Sequence, residues 1–360
     1  KRAFVYTPDD ETSDREAILA FLNGKDIGCL RRRSKKADIR SLWSELPGNI
    51  AMSKTRLATG VNGRYVLQKA DGAALDQKQL IRSIKQHMAE WQREVWKEQV
   101  DQGKSVAYQT ADSNAFLRGP SRLKPEDIIF AIRARSAQLP TRQYLKRIGV
   151  TKLARCRHCT ADPETLAHIL NHCPHSMDSK IKMRHNKVLE RITTAITQSA
   201  VNRGKTLLID KCPDDMETRL RPDIILRDEK SKTMTIADVA IVFEDYRKNS
   251  FGSSAIHKEE KYKDLKTHYE FCGYRVSVHA LVYGSLGCIA QDNRKVLTQD
   301  LGIAERTAWV LQRIISTDCI RHSNQIWGFH VADNQGEREE AIALARPTRC
   351  DEYTNDALIH

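Results

Sequence analysis

The chain has 360 residues, of which 40% are hydrophobic and 29% charged, and its formal net charge is +13. That length accommodates two or three domains, each with its own core. No stretch approaches the run of about 20 apolar residues that a membrane helix requires, so no membrane partner is expected.

The charge is unevenly placed. Residues 1–155 hold 30 Lys and Arg against 17 Asp and Glu, whereas residues 156–360 hold 29 of each. A basic half joined to a neutral half reads as a polyanion-binding arm followed by a domain with different work. The plain alternative is a basic surface that serves solubility. The start, Lys1-Arg2-Ala3-Phe4-Val5, has no apolar signal core and no initiating Met, and reads as a piece of a longer protein.

Residues 1–70 carry a dense basic run, Arg31-Arg32-Arg33-Ser34-Lys35-Lys36, and turn-rich sequence from Gly60 to Gly72. From 76 to 100, Leu80, Ile84, Met88, Trp91 and Val95 recur at steps of three and four, which predicts a helix with its apolar stripe packed on a core. A polar loop leads to Pro125, which suits a first helical position, with Glu126 and Asp127 in the first turn. This helix should end before Pro140. It and the following segment present Arg133, Arg135, Arg142, Lys146, Arg147 and Arg155, an arginine-rich surface suited to phosphate contacts.

Next comes Cys156-Arg157-His158-Cys159, then His168 and Cys173, with the spacing C-x2-C-x8-H-x4-C. Tetrahedral zinc takes four thiolate or imidazole ligands, and a C-x2-C turn delivers two sulfurs to one metal without strain. Such a knuckle has no open position for chemistry. It points to nucleic-acid handling, and it is expected to orient the basic arm relative to the C-terminal half of the chain. The other six cysteines are scattered, which suits a reducing compartment.

Ile181, Val188, Ile192 and Ile196 then mark a helix, and His185 on the same stripe is expected to be a packed core residue rather than a ligand. Strands are expected at 206–210, 222–227, 234–243 and 275–283, a helix at 255–272 and a last helix at 293–316 before a tail with Trp327 and Phe329. Helix, three strands, helix, strand is a compact α/β order. A hairpin centred on Lys230 and Ser231 gives paired positions summing to 461, which sets Asp223 opposite Asp238. Two carboxylates so placed repel unless a cation lies between them. Mg²⁺ would remove that penalty and would polarise a scissile phosphate. The plain alternative is an ordinary exposed acid at a strand start and another at a sheet edge. On the following helix Lys258 falls near the centre of the face carrying Tyr262, Leu265 and Tyr269, and Lys261 at its edge. Either lysine is a candidate cation for the site.

In this order, the motifs resemble the C-terminal part of non-LTR retrotransposon proteins of the restriction-like-endonuclease class, in particular the group inserting into ribosomal RNA genes. Ile132-Arg133-Ala134-Arg135-Ser136-Ala137-Gln138-Leu139-Pro140-Thr141-Arg142 looks like that family's helix-to-Leu-Pro linker. Cys156, Cys159 and His168-Ile169-Leu170-Asn171-His172-Cys173-Pro174 look like its zinc knuckle. Arg221-Pro222-Asp223, Asp238 and Lys258 or Lys261-Tyr262 look like its nuclease signature. The likeness covers roughly residues 75–285.

The resemblance implies a mixed α+β chain. Residues 1–70 would end a reverse-transcriptase thumb, and 71–153 would form a basic helical linker. The knuckle would span 154–176, a restriction-endonuclease-like α/β domain 177–330, and a C-terminal tail 331–360. It implies a nuclear endodeoxyribonuclease that nicks target DNA so that the freed 3′ end primes reverse transcription of the element's RNA. Asp223 and Asp238 would hold catalytic Mg²⁺, and Zn²⁺ would be structural. Target DNA, element RNA and an upstream reverse-transcriptase domain would be its partners. The wider nuclease superfamily often places a lysine two residues after the second acid, where this chain has Ala240. The retrotransposon group is similar in moving that lysine to the next helix. No polymerase palm is visible: the paired acids at Asp9-Asp10 and Asp214-Asp215 lack a strand–turn–strand setting. Two other readings stand beside this one, a non-catalytic nucleic-acid-binding module and a repair or viral nuclease of the same superfamily.

Overall fold

The computed structural model describes residues 56–59, 65–68, 77–118, 122–213 and 215–332. The chain divides into two units, Lys1–Glu98 and Gln99–His360. In the first, strands β1 (Arg56–Thr59) and β2 (Tyr65–Gln68) form an antiparallel pair in which Arg56 faces Gln68. Helix α1 (Gln77–Glu98) comes next. Its Trp91, Val95 and Trp96 are exposed, so the expected packed stripe is uncovered over this stretch. Periodicity marks a face that burial would favour; it does not supply a neighbour. The side chains of Leu80, Ile84 and Met88, like most of the expected thumb segment, lie outside the described residues.

The second unit is a mixed α/β fold built on one four-stranded sheet. Its early helices are α2 (Pro125–Arg135), α3 (Arg142–Arg147), α4 (Leu166–Asn171) and α5 (Lys182–Gln198). Strands β3 (Thr206–Ile209), β4 (Ile224–Asp228) and β5 (Thr233–Val242) then run antiparallel in sequence. Helices α6 (Ser250–Lys261) and α7 (Lys263–Phe271) cross over to β6 (Arg275–Gly284), which lies parallel to β5. A parallel pair requires such a crossover. The sheet order is β3-β4-β5-β6, and the last helix is α8 (Glu305–Val331). None of the described helices is long and apolar enough to cross a membrane.

Strand β5 is buried continuously from Met234 to Ala240, which reflects cover on both sheet faces. On one face Ala237, Val239, Leu226 and Leu281 pack with Val188 and Ile192 of α5 and Ile315 of α8. On the other, Ile225, Met234 and Ile236 pack with Tyr262, Leu265 and Tyr269. The single helix expected over 255–272 is two, starting earlier and broken at Tyr262 (φ −105°, ψ 15°). The last helix also differs from expectation. It continues through Trp327 and Phe329 to Val331, because its buried face is carried on by Cys319, Ile320, Ser323, Ile326 and His330.

The basic segment after residue 98 is no separate arm. Phe116, Phe130, Ala134 and Leu139 share one core with Ile169, Leu170, Leu286, Ile320 and Ile326. Arg135, expected on the phosphate-contacting surface, is 6% exposed and turned inward. Its Nε and Nη2 donate to the Leu286 carbonyl at 3.0 and 2.6 Å, and its Nη1 to Asn114 Oδ1 at 2.6 Å. A guanidinium has five donors, and burial is tolerable when oxygens meet them. Glu244, fully buried, accepts the Leu286 and Cys288 N–H groups at 2.8 and 3.2 Å. Gly284 makes room for it, since a Cβ there would collide with the Glu244 carboxylate.

Arg135→Ala removes a buried charge-assisted network and leaves the Leu286 carbonyl unpaired. It should lower the unfolding free energy by about 3 kcal/mol, read as a reduced Tm by circular dichroism. Arg155→Ala, at an exposed position, should change it by under about 0.5 kcal/mol.

Candidate functional site

The Cys-Cys-His-Cys group is assembled by local hydrogen bonds. The Cys156 N–H donates to the Ala161 carbonyl at 2.8 Å and closes the loop, and the His158 N–H points at Cys156 Sγ at 3.5 Å. Thr165 caps α4 and accepts the His168 N–H at 2.9 Å, which fixes the histidine in the helix's first turn. Cys173 lies just beyond that helix, before Pro174. The four ligand atoms all lie within 4.8 Å of one another. Cys156 Sγ and Cys173 Sγ are 3.9 Å apart, and Cys159 Sγ and His168 Nε2 are 3.2 Å apart. A zinc tetrahedron with bonds of about 2.0–2.3 Å has edges of about 3.3–3.8 Å. The group can therefore hold a zinc ion. Burial pushes the Cys156 thiol up to about 12, raises Cys173 and lowers His168. Thiols packed this way stay protonated until a cation deprotonates them by coordination.

A second layer surrounds these ligands, and it includes a residue that sequence reasoning missed. His330, on the last turn of α8, is fully buried, with Nε2 3.1 Å from Glu164 Oε2 and 3.7 Å from Cys156 Sγ. His158 Nε2 lies 2.7 Å from the His330 carbonyl oxygen. Glu164 also accepts the Arg142 and Arg157 N–H groups at 2.9 and 3.0 Å and pairs with the Arg157 guanidinium. Burial would raise the Glu164 carboxyl, but the hydrogen bond with His330 and the charge of Arg157 outweigh it and hold it at about 2. The available signal is a histidine four residues after Ile326, on the helix's buried face; reading that stretch as a tail conceals it.

The carboxylate pair forms as the hairpin arithmetic predicts. Ile224 faces Ala237, a sum of 461, so Asp223 precedes β4 beside Asp238. Asp238 is 2% exposed. Its Oδ1 accepts from the Tyr262 hydroxyl at 2.6 Å and from the Asp223 N–H at 3.3 Å, and its Oδ2 pairs with Lys258 Nζ. Lys261 instead donates to the Tyr262 hydroxyl at 2.8 Å. One cation, Lys258, and the Tyr262 phenol thus meet one carboxylate, and Lys261 reaches it only through the phenol. Burial and the adjacent Asp238 and Asp223 charges push the Tyr262 phenol far up, so it acts as a proton donor in its hydrogen bond.

Asp223 Oδ2 accepts the Val239 N–H at 2.7 Å and lies 3.1 Å from His185 Nε2, which is also 3.2 Å from the Val239 carbonyl oxygen. His185 is therefore not the packed core residue expected; it reaches past the stripe to the start of β4 and the middle of β5. Burial works against its charged form, yet Asp223 outweighs that and the shift is upward. Continuing the strand register would set Pro222 against Val239. Proline has no N–H, so the ladder stops and the Val239 carbonyl turns to the histidine.

Comparison with protein-family models and with curated proteins finds no match for this chain.

Of the expected phosphate-contacting residues, Lys146, Arg147 and Arg155 are exposed, and Arg133 and Arg142 are half-buried. Arg147 pairs with Asp101, and Arg142 Nη1 donates to the Arg155 carbonyl at 3.2 Å. Arg135 is removed from this group by its burial.

One zinc per chain is the expected content by atomic absorption, and Cys173→Ser should abolish it. His330→Ala should retain that stoichiometry while weakening affinity ~10-fold, measured by chelator competition. Unchanged affinity would show that His330 does not support the ligands.

Proposed function

We propose that the chain is a divalent-metal-dependent DNA endonuclease, similar to the nuclease part of non-LTR retrotransposon proteins of the restriction-like-endonuclease class. The observation that carries this reading is the pairing of Asp223, just before β4, with Asp238, midway along β5, with Lys258 on Asp238. The order α5, β3, β4, β5, α6–α7, β6 is the helix, three strands, helix, strand expected from the sequence, and it supports this reading.

The donor types suit a hard cation: Asp223 Oδ2 and the Val239 carbonyl flank His185, and the Asp238 carboxylate accepts the Asp223 N–H beside them. When bound there by Asp223 and Asp238, Mg²⁺ supplies Lewis-acid polarisation of phosphate and a more acidic water. Around it the chain's own groups divide the work. Lys258, 26% exposed at its side chain, has an ammonium that can turn from Asp238 to a phosphoryl oxygen. Tyr262 holds Asp238 Oδ1 in place from behind, and its own hydroxyl is held by Lys261. The exposed Lys146, Arg147 and Arg155 add phosphate contacts. In this reading the enzyme works in the nucleus on target DNA, beside element RNA and an upstream reverse-transcriptase domain.

One observation favours a second reading, a non-catalytic nucleic-acid-binding module. Asp238 already has its charge met by Lys258, Tyr262 and a backbone N–H, which a purely structural acid also requires.

Plasmid nicking with Mg²⁺ separates the two. The chain should nick, and Asp223→Asn and Asp238→Asn should fall to background while circular dichroism shows the fold retained at the assay temperature. Lys258→Ala should lose about 10²–10³-fold, against less than about tenfold for Lys261→Ala. Absence of nicking by the unmodified chain, or full activity in both Asn variants, supports the binding module. Each of Lys146→Ala and Arg155→Ala should weaken DNA binding and lower the salt slope by about one. Fluorescence anisotropy between 50 and 200 mM salt, roughly the span over which such contacts are read, provides the check.

A further inference from the structure

Three groups from three chain segments converge beside the carboxylate pair. Asp223 Oδ2 comes from the residue before β4, the Val239 carbonyl oxygen from β5, and His185 Nε2 from the first turn of α5. The nitrogen lies 3.1 Å from the first oxygen and 3.2 Å from the second. The convergence has a cause in the sequence. Pro222 withholds the N–H that would otherwise bind the Val239 carbonyl, and the Val239 N–H is taken by Asp223 itself at 2.7 Å. Two oxygen acceptors therefore face one point, where only a hydrogen-bond donor or a cation is favourable. The His185 side chain is 30% exposed, so it can adjust its rotamer around either occupant.

We propose that His185 is a third side-chain ligand of the divalent cation, alongside Asp223 and Asp238, with the Val239 carbonyl as a main-chain donor. This rests on the reading of the aspartates as metal ligands. It adds one nitrogen to an otherwise all-oxygen set, and that changes the preferred metal. Imidazole raises affinity for Mn²⁺ and later first-row ions, whereas Mg²⁺ favours oxygen alone. The site should thus hold Mn²⁺ more tightly than Mg²⁺.

The test uses the full zinc-loaded chain with Mn²⁺ as the probe. Titration calorimetry gives affinity, pulsed electron paramagnetic resonance reports ¹⁴N coupling to bound Mn²⁺, and zinc content is followed throughout. The unmodified chain should bind one Mn²⁺ with ¹⁴N coupling. His185→Gln should lose the coupling and ~10-fold in affinity with zinc unchanged. Asp223→Asn should weaken binding at least as much. If Mn²⁺ binding depends on Asp223 and Asp238 but shows no ¹⁴N coupling, or coupling that survives His185→Gln, the histidine is not a ligand while the carboxylate site stands. If Mn²⁺ binding is absent or indifferent to both aspartates, the metal reading itself fails, and the proposal with it. Calorimetry and resonance keep these outcomes apart without relying on nicking.

Discussion

Asp238 is a carboxylate on an inner strand of a sheet covered on both faces, and its surroundings are organised by that charge. A buried carboxylate is tolerable only when hydrogen bonds and a cation meet it. Lys258 supplies the cation, Tyr262 the hydroxyl and Asp223 a backbone N–H. Lys258 and Tyr262 are four positions apart, so they share one face at the end of α6 and both reach this carboxylate. The break at Tyr262 starts the new axis of α7, which carries Leu265 and Tyr269 onto the sheet. The crossover that makes β6 parallel to β5 is thereby tied to the charge on β5.

The segment carrying the Cys-Cys-His-Cys group has a comparable role elsewhere in the unit. Glu164 gathers the Arg142 N–H, both parts of Arg157 and His330 around one carboxylate. Those partners come from α3, the Cys-x2-Cys loop and the end of α8. Arg184 of α5, fully buried, adds another tie by donating to the Leu170 carbonyl at 2.9 Å and to Ser323 Oγ at 2.7 Å. Burial of that guanidinium lowers it to about 10. A zinc ion at Cys156, Cys159, His168 and Cys173 would hold the loop and α4 in the arrangement that α8 packs against. Its binding free energy would then be folding free energy for more of the unit than the short segment between its ligands.

Much of this is legible in the sequence where one local rule governs. The hairpin register comes from turn symmetry, the four ligands from their spacing, and α2 from Pro125 with its first-turn acids. What escapes depends on partners distant in sequence. Arg135 reads as a surface cation until Leu286, 151 positions away, is seen to accept from it. His330 lies 174 positions from Cys156. The stripe on α5 makes His185 a core residue, yet the decisive fact is the missing N–H of Pro222 across a strand end. Helix periodicity shows which face turns inward; it does not show what waits there.

The division of charge along the chain also takes on a different meaning. Net charge changes at residue 155, which suggests an arm joined to a neutral domain. The hydrophobic core does not change there: Phe116, Phe130 and Leu139 pack with Ile169, Ile320 and Ile326 across that point. Cutting the chain at 155 would expose this apolar surface and remove the Arg135 network, so a loss of binding by residues 156–360 alone would report unfolding as much as missing charge. A charge boundary in sequence marks where ions were placed on the surface. A domain boundary requires that few packed contacts cross it, and here the contacts on both sides belong to one core.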